Sequence, residues 1–104
     1  VIQSQDITGL INPPNKLDDL FVDIGGYGTP KIKSFQAKES CQRVEAFVRS
    51  KGGFQMMYAD TYMTRDEFRE MFDHKTYDKL REDLNLASKG FPEIYDKVCK
   101  KNRI

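Results

Sequence analysis

Tryptophan is absent from this chain, histidine occurs once and cysteine twice. A lone histidine, His74, excludes any site built from a histidine pair. Cys41 and Cys99 lie 58 positions apart, a spacing that makes neither a zinc site nor a redox pair. No apolar run approaches the ~20 residues that a membrane span needs. The opening "VIQSQDITGL" lacks the basic start and continuous apolar stretch of a signal peptide. Charge of one sign is missing too. With 17 basic and 16 acidic side chains the net charge is +1, so no global field draws nucleic acid or an anionic membrane. The basic tail "KVCKKNRI" reads as a solvated helix end, where cations are favoured. There are no internal repeats and no low-complexity segments.

What is present is enough for one domain. A chain of 104 residues buries roughly 60–70% of its unfolded surface. Charged residues make up 32% and the hydrophobic class 38%, a globular composition that is lean in core material. The chain opens without methionine, and mostly polar or proline-containing residues precede the first strand signal, as in a segment of something longer.

Residues 1–18 contain "NPPNK" and read as a linker or extended segment, because paired prolines continue neither a helix nor a central strand. The next stretch, "LFVDIGG", alternates: Leu20, Val22 and Ile24 face one way, Phe21 and Asp23 the other. This predicts a strand over 19–25, ended by a turn at Gly25, Gly26 and Gly28. Those glycines lack the spacing of a dinucleotide-binding loop. A further short strand is a candidate over 31–35. A helix is predicted over 38–51, with Cys41, Val44, Phe47 and Val48 as its apolar stripe and Gly52-Gly53 as its stop.

A second strand is predicted over 54–63. Thr64-Arg65-Asp66-Glu67 forms a capping box, and Met63 with Phe68 the matching hydrophobic staple. Helices are expected near 65–72, 75–84 and 92–100, with Tyr77, Leu80 and Leu84 on one face of the second. "NLASKG" reads as a loop between the last two. Pro92 suits a first helical position. The fold class is therefore α+β, a small incomplete sheet crossed by one helix and followed by C-terminal helices. A sheet of two or three strands calls for completion by further chain or by a partner.

Five features bear on possible chemistry. Along the second strand Met56, Tyr58, Asp60 and Tyr62 fall on one side, about 7 Å apart in succession. Two phenols and a carboxylate there can orient a polar group or relay a proton. The same residues can equally cover the edge of the core, with Asp60 capping a neighbouring helix. Met56, Met57, Met63 and Met71 with Phe54, Phe68 and Phe72 make an adaptable apolar cluster, suited to a flat lipid-like ligand or simply to core. Next to Asp73, His74 reads as an exposed turn histidine. Cys41 and Cys99, each on the apolar side of a helix, read as buried reduced thiols, which fits a reducing compartment. Arg65, Asp66, Glu67, Arg69 and Glu70 interleave as a solvated helix face with i,i+4 pairs.

The stretches "LFVDIGGYGTPKIKSFQA", "VEAFVRSKGGFQMMYADTYMTRDEFREMFD", "YDKLREDL" and "FPEIYDKVCK" together resemble the C-terminal end of the delta(24)-sterol reductases, the seladin or diminuto family, within the vanillyl-alcohol-oxidase-like flavoproteins. The similarity covers most of residues 18–101. Gly26, Thr61 and His74 depart from its pattern. The resemblance implies an FAD-dependent reductase that draws on NADPH to reduce the side-chain double bond of a sterol, in a protein associated with the endoplasmic reticulum membrane. It implies that residues 19–104 are a C-terminal cap or substrate-side segment facing the cytosol. The FAD-binding domain would lie outside them and be their first partner, with the sterol the second.

Position within the resemblance makes Tyr58 the first candidate catalytic residue, with Asp60, Tyr62 and Met56 close to substrate or flavin. The histidine-tryptophan pattern of sugar-lactone oxidases is absent, so their catalytic assignment does not carry over. By itself the segment is expected to bind no FAD, to be inactive and to self-associate through exposed apolar surface. The rival reading is a freestanding, non-catalytic interaction module of the same fold.

Overall fold

The computed structural model describes residues 11, 20–58 and 60–102. The proposed linker over 1–18 lies outside the described residues, apart from Ile11, which bridges to Phe72. In chain order the elements are α1 (Ala37–Ser50), α2 (Arg65–Met71), α3 (Lys75–Asp83), α4 (Asn85–Gly90), α5 (Ile94–Val98) and a 3-10 turn (Lys100–Asn102).

α1 forms where the sequence places it, with Glu39 in its first turn and Arg49 in its last. Its end is a Schellman motif. The amide of Gly53 donates to the carbonyl of Val48 (3.0 Å), and that of Gly52 to Arg49 (3.1 Å). Gly52 sits at φ 68°, the left-handed region that glycine enters without penalty. The start of α2 is the expected capping box. Thr64 Oγ1 accepts from the amide of Glu67 (3.2 Å), and Glu67 Oε2 accepts from the amide of Thr64 (2.8 Å). Asp73 Oδ1 takes the amide of Lys75 and so helps start α3.

The buried core is Met63, Phe68, Met71, Phe72 and Val98, with Val48, Phe54, Met57, Ile94 and Tyr95 packed around it. Both staple residues, Met63 and Phe68, belong to it. A ladder of rings runs through: Phe21 meets Phe54 edge-on at 5.2 Å, Phe54 leads to Phe72, and Phe72 to Phe68 at 5.0 Å. Phe68 then touches both His74 and Tyr95. Such ring pairs add about 0.5–1.5 kcal/mol each beyond the area they bury.

Several expectations are corrected here. The small sheet is not found among the described residues, which hold only isolated bridges, Ile11 to Phe72 and Thr61 to Cys99. Residues 20–24 pair with no strand among the described residues, and the backbone turns at Met57 and Tyr58, midway along the expected second strand. "NLASKG" is a helix, α4, and not a loop. The last helix begins after Pro92, with Glu93 as its N-cap, and is shorter than 92–100. Cys41, Val44 and Phe47 are exposed, and α1 instead buries Glu45. Leu80 and Leu84 of the expected α3 face are exposed as well.

Gly52→Ala is expected to lower stability by about 1 kcal/mol through the left-handed position. Chemical denaturation of the 104-residue chain measures this, and Ser50→Ala, outside the motif's glycines, is the comparison.

Candidate functional site

Among the polar residues of the interior, Thr61 is fully buried and uses every polar atom it has. Its amide donates to the carbonyl of Val98 (2.9 Å), and its carbonyl accepts from the amide of Lys100 (3.0 Å). Its hydroxyl donates to Glu45 Oε1 (2.7 Å) and accepts from the amide of Met63 (3.2 Å). The same Glu45 oxygen accepts from the amide of Tyr62 (3.0 Å). Glu45 is only 5% exposed, and its Oε2 is buried without a partner among the described residues. One carboxylate from α1 thus holds residues 61 and 62, while the Thr61 backbone pairs with the 98–100 segment.

Around this knot the expected site residues are placed unequally. Asp60 is half-buried and pairs with Lys100 (2.8 Å). Tyr62 is half-buried, its amide held by Glu45. Tyr58 is 81% exposed and Met56 is exposed, because the turn at 57–58 carries them away from the strand geometry the sequence suggested. Asp60 and Tyr62 therefore flank the Thr61 knot, while Tyr58 and Met56 stand outside the core.

Further constellations escape a reading of the sequence. The Tyr95 hydroxyl donates to the carbonyl of Met63 (3.0 Å) and accepts from the thiol of Cys99 (3.3 Å). Burial, and then the bond to Cys99, push the Tyr95 phenol up to about 12. It is a neutral clamp rather than an acid at ordinary pH. Cys99 is buried as expected; Cys41 is exposed, correcting the other half of that expectation.

His74 is corrected likewise. It is buried, its Nδ1 lies 2.8 Å from the carbonyl of Phe72, and its ring meets Phe68 and Tyr77 edge-on. The residue before it, Asp73, bonds the α3 start.

The α2 arginines do not simply pair along their own helix. Arg65 reaches Glu93 and Asp96, and Arg69 reaches Asp78 with both nitrogens (2.8 and 3.0 Å) and also Glu93. Arg65 lies over the Tyr95 ring at 4.7 Å. From α1, the mostly buried Arg49 reaches Glu67 and Glu70. The Thr64 amide bond first, then Arg49, hold the Glu67 carboxyl below its ordinary value of 4.5. The hydrogen bonds from Arg69 hold Asp78 below 3.8.

The described residues contain no cluster of side chains suited to hold a metal ion. Nor do they offer a cradle for the pyrophosphate of a dinucleotide. Gly25, Gly26 and Gly28 lie in an exposed segment that opens no helix. No helix among the described residues is long and apolar enough to cross a membrane.

Glu45→Ala is expected to cost about 2–3 kcal/mol, since the Thr61 hydroxyl and the Tyr62 amide lose a buried acceptor. Glu45→Gln, which keeps one carbonyl oxygen for them, should cost less than half of that. Unfolding midpoints of the two variants check the ordering.

The lowered values of Glu67 and Asp78 give a second expectation. Their folded forms bind protons less tightly than the unfolded chain, so their contribution is present above about pH 4.5 and is lost as pH falls through the lowered values. Glu67→Gln preserves the capping box and removes one of these titrations. Stability measured from pH 6 to about 3 should fall less steeply in that variant.

Comparison with known proteins gives a consistent result. The chain is 52% identical over 95 residues to the delta(24)-sterol reductase of Homo sapiens, and equally so to that of Rattus norvegicus. It is 43% identical over 95 residues to a delta(24)-sterol reductase homologue of Caenorhabditis elegans. Each match covers 91% of this chain but 18% of the relative, so the chain spans less than a fifth of the length of the curated relatives it matches. No family model matches, and no solved structure matches.

Proposed function

We propose, from the premise that this chain aligns with the delta(24)-sterol reductases over 91% of its length, that it is the C-terminal part of such an enzyme. That identity of 52% is the observation that carries the reading. The whole protein is then an FAD-dependent oxidoreductase that uses NADPH to reduce the delta-24 double bond in a sterol side chain. On this reading it is associated with the endoplasmic reticulum membrane, with these residues on the cytosolic side. The residues described here do not fit an FAD site of their own, so the flavin belongs to a domain outside them, and the segment alone is inactive. The flavin, when bound, supplies the hydride; a proton must come from elsewhere.

Within this reading Tyr58 is the candidate proton donor to the reduced sterol carbon. Its exposure supports the assignment, because a phenol packed into the core of this segment could not meet a substrate held by another domain. Asp60 and Tyr62 would position the backbone that presents it, through Lys100 and Glu45. Met56, exposed nearby in the chain, would offer apolar surface to the sterol.

The reading is tested on the protein captured from its source by an antibody to this segment. A polypeptide several times longer than 104 residues, with flavin absorption that bleaches on addition of NADPH, is the expected result. A colourless polypeptide of about this length would replace the enzyme by the interaction module. In the active enzyme, Tyr58→Phe is expected to reduce turnover by at least about 10²-fold and to remove one limb of its pH profile. Unchanged turnover and profile would exclude Tyr58 from proton transfer.

A further inference from the structure

Residues 20–24 lie in no helix or strand, and Phe21 is the one among them that is not exposed. Phe21 turns inward onto Phe54 at 5.2 Å. Leu20, Val22 and Ile24 point away and are 77%, 76% and 88% exposed. Among the described residues, no backbone hydrogen bond is made anywhere over 20–31. A half-anchored segment therefore presents three apolar side chains and unpaired amides and carbonyls together.

Solvent-facing strands blunt such an edge with charge, lysine above all. The next segment does so, with Lys31 and Lys33 flanking Ile32. Over 20–24 the lone charge is the exposed Asp23, which a strand would place on the Phe21 side, so that Leu20, Val22 and Ile24 would form a wholly apolar opposite face. A face of this kind has the character of a covered strand.

The occupant follows from length and from strand count. Two copies joined at 20–24 would make a two-stranded ribbon of five residues each, and such a ribbon is marginal in water. A stable seat needs a sheet that already exists, and the described residues contain none. In the relatives, the matched region is 18% of the polypeptide, so most of the chain that could supply a sheet lies outside it.

We propose that residues 20–24 form a β-strand that pairs with a sheet contributed by the part of the longer polypeptide outside these 104 residues, burying Leu20, Val22 and Ile24. This rests on the reading that the chain is a segment of a longer reductase, but not on Tyr58 or on the reaction. Its ligand is backbone: an exposed strand edge with apolar side chains beside it.

The test is amide hydrogen exchange, followed by mass spectrometry, on the complete polypeptide from its source at two protein concentrations tenfold apart. Amides 20–24 are expected to exchange at least about 100-fold more slowly than in an unstructured chain, equally at both concentrations. In Val22→Asp, which places a charge on the buried face, that protection should fall while the amides of α2 keep theirs. Rapid exchange over 20–24 in a longer polypeptide would overturn the strand and leave the reductase reading standing. Protection that fades on dilution would assign the edge to a second copy and overturn the proposal. An intact mass matching 104 residues would overturn the proposal and the reading beneath it together.

Discussion

The contact on which the rest of this structure depends is the buried hydrogen-bonded knot at Thr61. A threonine with no exposure can be accommodated only if its hydroxyl, amide and carbonyl all find partners, and here they do. The partners come from three places in the chain: Glu45 on α1, Met63 ahead of α2, and the 98–100 backbone after α5. A carboxylate is expensive to bury, so the donors from Thr61 and Tyr62 must arrive together with it. The knot therefore sets where α1 meets the remainder of the fold and where the C-terminal segment ends its run.

Everything apolar is arranged around that constraint. With Glu45 turned inward, Val48 and Arg49 follow on the next turn, and Arg49 reaches Glu67 and Glu70 on α2. From α2, Arg65 and Arg69 reach Asp78, Glu93 and Asp96. Each exposed pair contributes little alone. Their value lies in orientation, because they hold the short helices α3 and α5 over a core of few residues. Beneath them the ring ladder from Phe21 to Tyr95 supplies the burial.

The orientation has a cost on the other side of α1. Cys41, Val44 and Phe47 are left to solvent, as are Leu20, Val22 and Ile24. A chain with this much uncovered apolar surface and an exposed tyrosine at Tyr58 is suited to work against another body of protein. That body, on the proposed reading, is the remainder of a sterol reductase.

How far the sequence could be read differs by kind of feature. The end of α1 at Gly52-Gly53, the capping box of Thr64 and Glu67 and the Met63–Phe68 staple were all legible, and all are present. Each depends on residues close in the chain. Of the candidate site residues, Asp60 and Tyr62 are half-buried, whereas Tyr58 and Met56 are exposed beside a turn that the alternating pattern concealed.

Burial and pairing followed a different rule. Periodicity favoured the Cys41–Val44–Phe47–Val48 stripe, yet of these only Val48 packs on the core, and the helix turns toward the side that satisfies Thr61 and Tyr62. His74 looked like a turn residue and is buried among aromatic rings that only the fold brings to it. A strand, finally, exists only with a partner. The sequence by itself determined helix ends, caps and the phase of each apolar pattern, because neighbours in the chain set those energies. The tertiary structure decided which faces are covered and which extended segments pair, because a buried polar group and an unpaired edge are each settled by residues far away in sequence.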